Sequence, residues 1–390
     1  MKMKKGKFGK ILLTLTVALL LALSAAGCGT ESAKTMLALN QELTALTVTE
    51  AAGTMTIDFN LSDELASVMP PEVNQLLDFF KEMSYTSKGD SVNLTADASI
   101  LANGSEFFRM IMDGPSNAYY IDATGMIDLV SQIDSETGEM MAEDLQGNQW
   151  LKFDFDFSSL NYAESLVAYE LLAEYMLGLE NEVFQNFDSG LVKNVSGGFE
   201  FRVTYEQLGP YIQSIGAYAL EHLDAFAAYT KTFLQGLSEE EMTSLALSAD
   251  MRDEMIADLD ELAAPENKPL YENYLAGAVT ALQMPDVAKI FGGSYWVIKM
   301  TKNGNTFVSD FDFLLNCNFV DTGLGAMFGM DLGNNSLRFA FHDETKPLAS
   351  FTPELPTSSI INAEDTENFA GAGLDSILPY SGLGGYGYGY

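Results

Sequence analysis

The clearest alternation of apolar and polar residues in the first half of the chain runs from Val92 to Ile100, where every second residue is apolar. A period of two predicts a half-buried β-strand. The pair Asn103-Gly104 follows and favours positive φ at both positions, so we expect a tight hairpin turn there. The returning strand is predicted to carry three apolar side chains on one face, namely Phe108, Met110 and Met112.

Similar alternation, rich in aromatic residues, predicts strands in several other parts of the chain. A second hairpin turn is expected at Asn303-Gly304, between two of these strands. The predicted strands cover Met55–Phe59, Trp150–Phe157, Phe199–Tyr205, Tyr295–Thr301, Thr306–Phe319 and Leu337–Phe341.

Helical patterns lie between the strands, at Met36–Leu46, Asp63–Met83 and Tyr162–Phe187, and in a long block from about Glu206 to Ile290. Ser62 is a predicted N-cap, and Pro70-Pro71 is expected to split the segment that it caps into two helices. Ser238 and Glu241 form a predicted capping box inside the long block. Prolines divide that block at Pro265, Pro269 and Pro285.

The polar, acidic segment Asp134–Gln149 is predicted to be a loop. Its first residues, DSETGE (Asp134–Glu139), lack the spacing of oxygen ligands found in an EF-hand. We therefore interpret them as a turn rather than as a calcium site.

The mixture of hairpins and helices predicts an α+β protein, with a curved, half-barrel-like antiparallel sheet packed on inserted helices. Strands come from both ends of the chain, so one domain is expected over residues 35–369, with a helical insertion at about 206–290. No internal repeat is evident. Residues 370–390 are rich in Gly and Tyr and poor in aliphatic residues, which predicts a disordered tail.

The N-terminus has the three parts of a secretory signal peptide. A Lys-rich start precedes the apolar run Ile11–Leu23, which is short for a spanning helix, and small residues then lead to Cys28. This order resembles the lipobox of bacterial lipoproteins. The resemblance implies a signal peptide over residues 1–27, a diacylated Cys28 carrying palmitate-type chains, and a tether over residues 28–34. Ordinary cleavage after Ala26 is the alternative.

The charge is strongly negative, with 20 basic and 55 acidic residues. Five lysines lie within the predicted signal peptide, which leaves 15 basic residues in the processed chain. Such a surface repels nucleic acid and anionic lipid head groups, so neither is an expected partner. Membrane attachment is instead expected through the covalent lipid, on the extracytoplasmic face of the cell membrane.

A first strand, amphipathic hairpins, an aromatic GNQWLKFDF segment (Gly147–Phe155) and a final hairpin follow the lipobox in order. This order resembles the LolA/LppX-like lipoproteins, whose curved half-barrel wraps around helices and can enclose an acyl chain. The resemblance implies that a ligand groove would be lined by Phe108, Met110, Phe153, Phe155, Trp296, Phe311 and Phe313. The alternative is that these residues form an ordinary core.

Residues able to perform chemistry are sparse. The two histidines, His222 and His342, have no metal-ligand spacing, and no nucleophile or phosphate-binding motif is present. Two acid pairs, Asp154/Asp156 and Asp310/Asp312, are interpreted as the solvated face of strands. Cys317 is expected to be buried and inert. The sequence therefore predicts neither an enzyme nor a metal or cofactor.

The expected function is that of a lipid-anchored binding or carrier protein for an apolar ligand or a lipoprotein. The alternative is a structural or interaction lipoprotein of the cell envelope that has no small-molecule cargo.

Overall fold

The computed structural model describes residues 31–155, 178–320 and 333–366, together with residues 167–168, 171–172 and 174–175 of one helix. The predicted signal peptide, Cys28 and the predicted tail from residue 370 lie outside the described residues. Within them the chain is a mixed α+β protein built on a large antiparallel sheet, which confirms the α+β class and the antiparallel sheet of the prediction.

The described residues form twelve strands, hydrogen-bonded in the order β12-β6-β5-β4-β3-β2-β1-β11-β10-β9-β8-β7. Neighbours from β1 to β6 are antiparallel, as are β7, β8 and β9, whereas β12 lies parallel to β6. The strands are β1 (Val48–Asn60), β2 (Glu82–Asp90), β3 (Thr95–Ala102), β4 (Ser105–Asp113), β5 (Ala118–Asp122), β6 (Trp150–Asp154), β7 (Val192–Val195), β8 (Gly198–Thr204), β9 (Tyr295–Asn303), β10 (Thr306–Asn318), β11 (Asn334–Pro347) and β12 (Ile360–Asn362).

Helices alternate with these strands along the chain. Helix α1 begins at Glu31, so residues 31–34 of the predicted tether belong to it. The helices are α1 (Glu31–Thr44), α2 (Asp63–Val68), α3 (Pro71–Phe79), α4 (Thr124–Ile133), α5 (Ser135–Asp144), α6 (Tyr205–Glu221), α7 (Leu223–Gly236), α8 (Glu239–Ser244), α9 (Ala249–Ala263), α10 (Lys268–Leu282) and α11 (Pro285–Phe291).

The residues group into two compact units. We call residues 42–160, 302–311 and those from 337 onward the hairpin unit, and residues up to 41, 161–301 and 312–336 the helical unit. The prediction of one domain over residues 35–369 stays a prediction.

The hairpin unit buries side chains on both faces of its strands. On one face Ile111, Ala118, Tyr120 and Trp150 form a buried cluster. On the other face Leu151 packs with residues of α4 and α5, which cover the β6 end of the sheet. The predicted turn between β3 and β4 is confirmed, because Asn103 and Gly104 have φ values of 50° and 79°.

The helical unit has a core of its own, formed by Leu171, Ala227, Leu234, Leu237, Met242 and Leu259. The predicted capping box is confirmed, since the Glu241 amide donates to Ser238 Oγ at 3.2 Å and the Ser238 amide donates to Glu241 Oε2 at 2.7 Å. The predicted long block is thus a series of six helices, α6 to α11.

The predicted loop over Asp134–Gln149 is wrong, because most of it is helix α5. Asp134 is the N-cap, with amides of the first turn donating to its carboxylate, and the hydroxyl of Thr137 lowers its pKa most. Gly138 weakens the helical signal in the sequence, but it lets α5 approach Ser131 of α4 so closely that no Cβ would fit. Tertiary packing therefore stabilises a helix that local composition disfavours.

The prediction that the helical segment extends to Met83 is also wrong, because α3 ends at Phe79 and β2 begins at Glu82. The face of β2 that holds Met83 and Tyr85 continues with Ser87 and Gly89. Small residues at the last two positions hide the apolar alternation by which a strand is recognised.

Tyr85 links three strands of the hairpin unit. It lies directly opposite Gly53 of β1, and its ring covers that glycine. The same ring stacks on Phe341 of β11 with centroids 5.8 Å apart, and its hydroxyl donates to Asp343. Burial, and then this carboxylate, raise the pKa of Tyr85.

The fit at Gly53 makes a testable prediction. A Cβ there would overlap the Tyr85 ring and the carbonyl oxygen of His342, so Gly53→Ala should lower the free energy of unfolding by about 1–3 kcal/mol. Gly277, on an exposed part of α10, has open space around its Cα, so Gly277→Ala should stabilise by about 0.5–1 kcal/mol. Urea unfolding followed by circular dichroism measures both, and equal stability of Gly53→Ala and wild type would contradict the fit.

Candidate functional site

Four of the predicted groove residues lie together on one face of the hairpin unit. Met110 on β4 is opposite Ile121 on β5, and Phe108 precedes it on the same face. Phe153 on β6 stacks on Tyr119 with centroids 4.6 Å apart, and Phe155 contacts the same tyrosine at 6.2 Å. All four side chains remain half-buried, although Ile121 beside them is fully buried.

We call this the apolar face. Toward β1 several of its positions hold small residues, although Tyr85 of β2 lies among them and its ring covers Gly53. These small residues pair across neighbouring strands and are Ala96 and Ala98 on β3, Ser87 and Gly89 on β2, and Ala51 and Gly53 on β1.

The other three predicted groove residues are divided between the units. Phe311 belongs to the hairpin unit, where it meets Phe339 edge to face at 5.5 Å. Trp296 and Phe313 belong to the helical unit. Trp296 is 37% exposed and contacts Phe201 edge to face at 5.7 Å.

The opposite face of β1 to β4 and β11 holds a groove of about 520 Å³. Its floor is formed by Ala52, Thr86 and Ser99, which pair across β1, β2 and β3. We call it the charged groove, because it is lined by Glu50, Lys88, Asp97, Glu106, Arg109, Glu344 and Lys346.

Glu50 lies between two lysines along one side of the charged groove. Lys88 reaches one of its carboxylate oxygens at 3.2 Å and Lys346 reaches the other at 2.8 Å. These two hydrogen bonds, that of Lys346 first, lower the pKa of Glu50. The side chains of Lys88 and Lys346 are 50% and 53% exposed, so both ammonium groups remain open to solvent.

Arg109 lies at the β4 end of the charged groove. Its Nε and one terminal nitrogen donate to the two oxygens of Asp97 at 3.1 and 2.9 Å, which fixes the guanidinium in a two-bond geometry. The guanidinium carbon also lies 5.7 Å from the ring centre of Trp150. Asp97 raises the pKa of Arg109. Nearby, the Ser99 hydroxyl donates to Glu106 at 2.6 Å.

The predicted acid pair Asp310/Asp312 does not act as a pair. Asp310 lies 2.6 Å from Nδ1 of His342, whereas Asp312 accepts a hydrogen bond from Tyr295 at 3.1 Å. The other ring nitrogen of His342 is 3.7 Å from Glu344, which joins this site to the charged groove. Asp156, a member of the other predicted pair, lies outside the described residues.

Cys317 is half-buried rather than buried, and it is a free thiol. Desolvation raises its pKa, so the thiolate needed for nucleophilic chemistry is disfavoured. Across the described ranges, no helix has both the length and the apolar character to cross a membrane. The same ranges hold no cluster of three or more His, Cys, Asp or Glu side chains arranged to bind a metal ion.

The charged groove was not predicted from the sequence. Glu50 lies before the predicted strand Met55–Phe59, and Lys88 lies after the helical segment predicted to end at Met83. Lys346 is almost 300 residues further along the chain than Glu50. The local sequence signal for this groove was the presence of charged residues on the polar face of strands. Their convergence depends on the β1–β11 pairing, which local periodicity does not reveal.

The His342–Asp310 pair makes a prediction about pH. The hydrogen bond that His342 donates to the Asp310 carboxylate raises the pKa of His342 above 6.5, with Glu344 adding to the shift. The pair should therefore contribute fully below pH 6.5, and the contribution should disappear as pH rises through the folded-state pKa. Both side chains are about two-fifths exposed, so we expect at most about 1 kcal/mol.

NMR titration of the imidazole protons measures this pKa, with a His222→Gln variant to assign the signals. Asp310→Asn should lower the pKa of His342, and His342→Gln should reduce stability at pH 5 more than at pH 8. If the pKa of His342 is unchanged in Asp310→Asn, the inferred interaction between His342 and Asp310 is contradicted.

Comparison with known proteins finds no matching family model, no similar curated protein and no similar solved structure.

Proposed function

We propose that this chain is a bacterial lipoprotein, anchored through Cys28 to the extracytoplasmic face of the cell membrane, whose apolar face binds an acyl chain or another apolar ligand. One observation carries the proposal. The predicted groove residues of β4 and β6 stay half-buried, although the same strands bury Ile111 and Leu151 completely.

The cost of leaving such side chains in contact with water supports a ligand. Each apolar Å² removed from water contributes about 25 cal/mol, so a ligand that covers several aromatic and methionine side chains gains several kcal/mol. Ala98 of β3 pairs with Met110 of β4, and its small side chain leaves room for an acyl chain beside Met110.

The resemblance to LolA/LppX-like lipoproteins adds a geometry to this proposal. Under it, the sheet curves as a half-barrel, and the apolar face lines the concave side. The extension of the ligand surface to Phe311, Phe313 and Trp296 stays a prediction. The proposed role is binding or carriage without catalysis.

A second candidate is an interaction lipoprotein without small-molecule cargo. A specific observation favours it, since α9 and α10 leave large apolar side chains exposed: Met251, Met255, Leu270 and Tyr274 are each 39–49% exposed. A protein partner that covers these side chains would stabilise the complex by the same hydrophobic gain. Crosslinking in intact cells, followed by a pull-down of wild type and Met255→Gln, tests this candidate.

The ligand proposal predicts the effect of polar substitution on the apolar face. Met110→Gln should weaken retention of a fluorescent fatty acid about fivefold, because the thioether is exchanged for an amide that must lose water on binding. Met255→Gln is the matched control, since it changes the same residue type on exposed α9 and should leave retention unchanged.

Lipid co-extracted with the wild-type protein, identified by mass spectrometry, should decrease in parallel in Met110→Gln. If the wild-type protein retains no lipid and no fatty acid, the apolar face is not a lipid site. The same conclusion follows if Met110→Gln and Met255→Gln reduce fatty-acid retention equally.

The anchor proposal predicts the effect of two cysteine substitutions. Lipidation uses the thiol, so Cys28→Ser should abolish labelling by palmitate and leave unprocessed precursor or soluble protein. Cys317→Ser should keep both label and membrane attachment, while a hydroxyl in the half-buried site costs about 1–3 kcal/mol of stability. Membrane fractionation of cells grown with labelled palmitate measures both properties. If Cys28→Ser still incorporates the label, Cys28 is not the lipidated residue.

A further inference from the structure

The charged groove lies on the face of the sheet opposite to the apolar face, because residues alternate between faces along each strand. Its floor is one row of short side chains, Ala52, Thr86 and Ser99, and this row continues to Arg109 on β4. At the other end, Glu344 lies on β11. Four strand spacings of about 4.8 Å separate β11 from β4, so the groove is about 19 Å long.

Charged groups along this groove retain unused hydrogen-bonding capacity. An ammonium group has three donors, and Lys88 uses one of them on Glu50. Glu344 lies 3.7 Å from Nε2 of His342, and its side chain is 60% exposed. Glu106 accepts from the Ser99 hydroxyl. The groove thus offers donors near Lys88 and acceptors at Glu344 and Glu106.

The electrostatic field of the whole chain restricts which ligands approach. With 55 acidic residues against 20 basic ones, the protein attracts cations and repels polyanions. The three basic residues Lys88, Arg109 and Lys346 nevertheless converge on this one groove. A net positive charge lets a ligand approach this acidic protein, and one carboxylate lets it contact the basic residues of the groove. The ligand expected here therefore has both.

We propose that the charged groove binds a short basic peptide in an extended conformation, with its amino end at Glu344 and its C-terminal carboxylate near Lys88. Two strand spacings separate β11 from β2, about 10 Å, and a tetrapeptide extends to about 13 Å. The groove volume of about 520 Å³ is within the range of small-ligand sites. This inference concerns the opposite face of the sheet and does not depend on lipid binding.

The test is isothermal titration of the full-length lipoprotein in detergent with the peptide Lys-Ala-Ala-Ala, as its free acid and as its C-terminal amide. The free acid should bind, and the amide should bind about tenfold more weakly, because it lacks the charge that meets Lys88. Glu344→Gln should weaken both peptides about tenfold. Glu240→Gln, on exposed α8, removes the same charge elsewhere and should change neither.

Lys88→Gln separates a specific contact from a general loss of charge. It should weaken the free acid to the level of the amide and leave the amide unchanged. Absence of binding at millimolar peptide, equal binding of acid and amide, or equal effects of Glu344→Gln and Glu240→Gln would each overturn the proposal. Lipid retention is measured in a separate experiment. If the protein retains no lipid, the peptide titration still tests the charged groove.

Discussion

The hairpin unit depends on the pairing of strands from opposite ends of the chain. Strand β1 begins at Val48 and β11 ends at Pro347, yet they are neighbours in the sheet, and the Leu348 amide donates to the Val48 carbonyl at 2.9 Å. Closing so long a loop costs conformational entropy, so the contact needs specific side chains to hold it. Tyr85 meets this need, because it covers Gly53, stacks on the β11 ring of Phe341 and donates to Asp343.

Once β1 and β11 are neighbours, alternation along the strands gives the hairpin unit two faces of different chemistry. Ala51 and Gly53 join the apolar face, whereas Glu50 and Ala52 join the charged groove. A shift of one residue in the β1–β2 register would exchange these sets, so the registers are fixed by both faces at once. The convergence of Glu344 and Lys346 on the charged groove is therefore a consequence of one strand pairing.

Local features of the fold were predictable from the sequence, and long-range ones were not. The Asn103-Gly104 turn and the Ser238–Glu241 capping box were predicted because their conformations depend on adjacent residues. Helix α5 was missed because its stability comes from packing on α4. The start of strand β2 was missed because Ser87 and Gly89 are small and interrupt the apolar alternation by which a strand is recognised. The apolar side chains of the candidate site were predicted by alternation, whereas the ion pair between Lys346 and Glu50 required the β1–β11 pairing.

Stability alone does not account for the charged groove. Exposed ion pairs contribute about 0–1 kcal/mol each, and the side chains of Lys88 and Lys346 are half exposed. Yet these two lysines and Arg109 are three of only 15 basic residues that follow the predicted signal peptide. The two hydrogen bonds to Asp97 hold the Arg109 guanidinium in position before any ligand arrives, which reduces the entropy lost on binding. Pre-organisation of this kind favours recognition of a charged ligand over a purely structural role for the cluster.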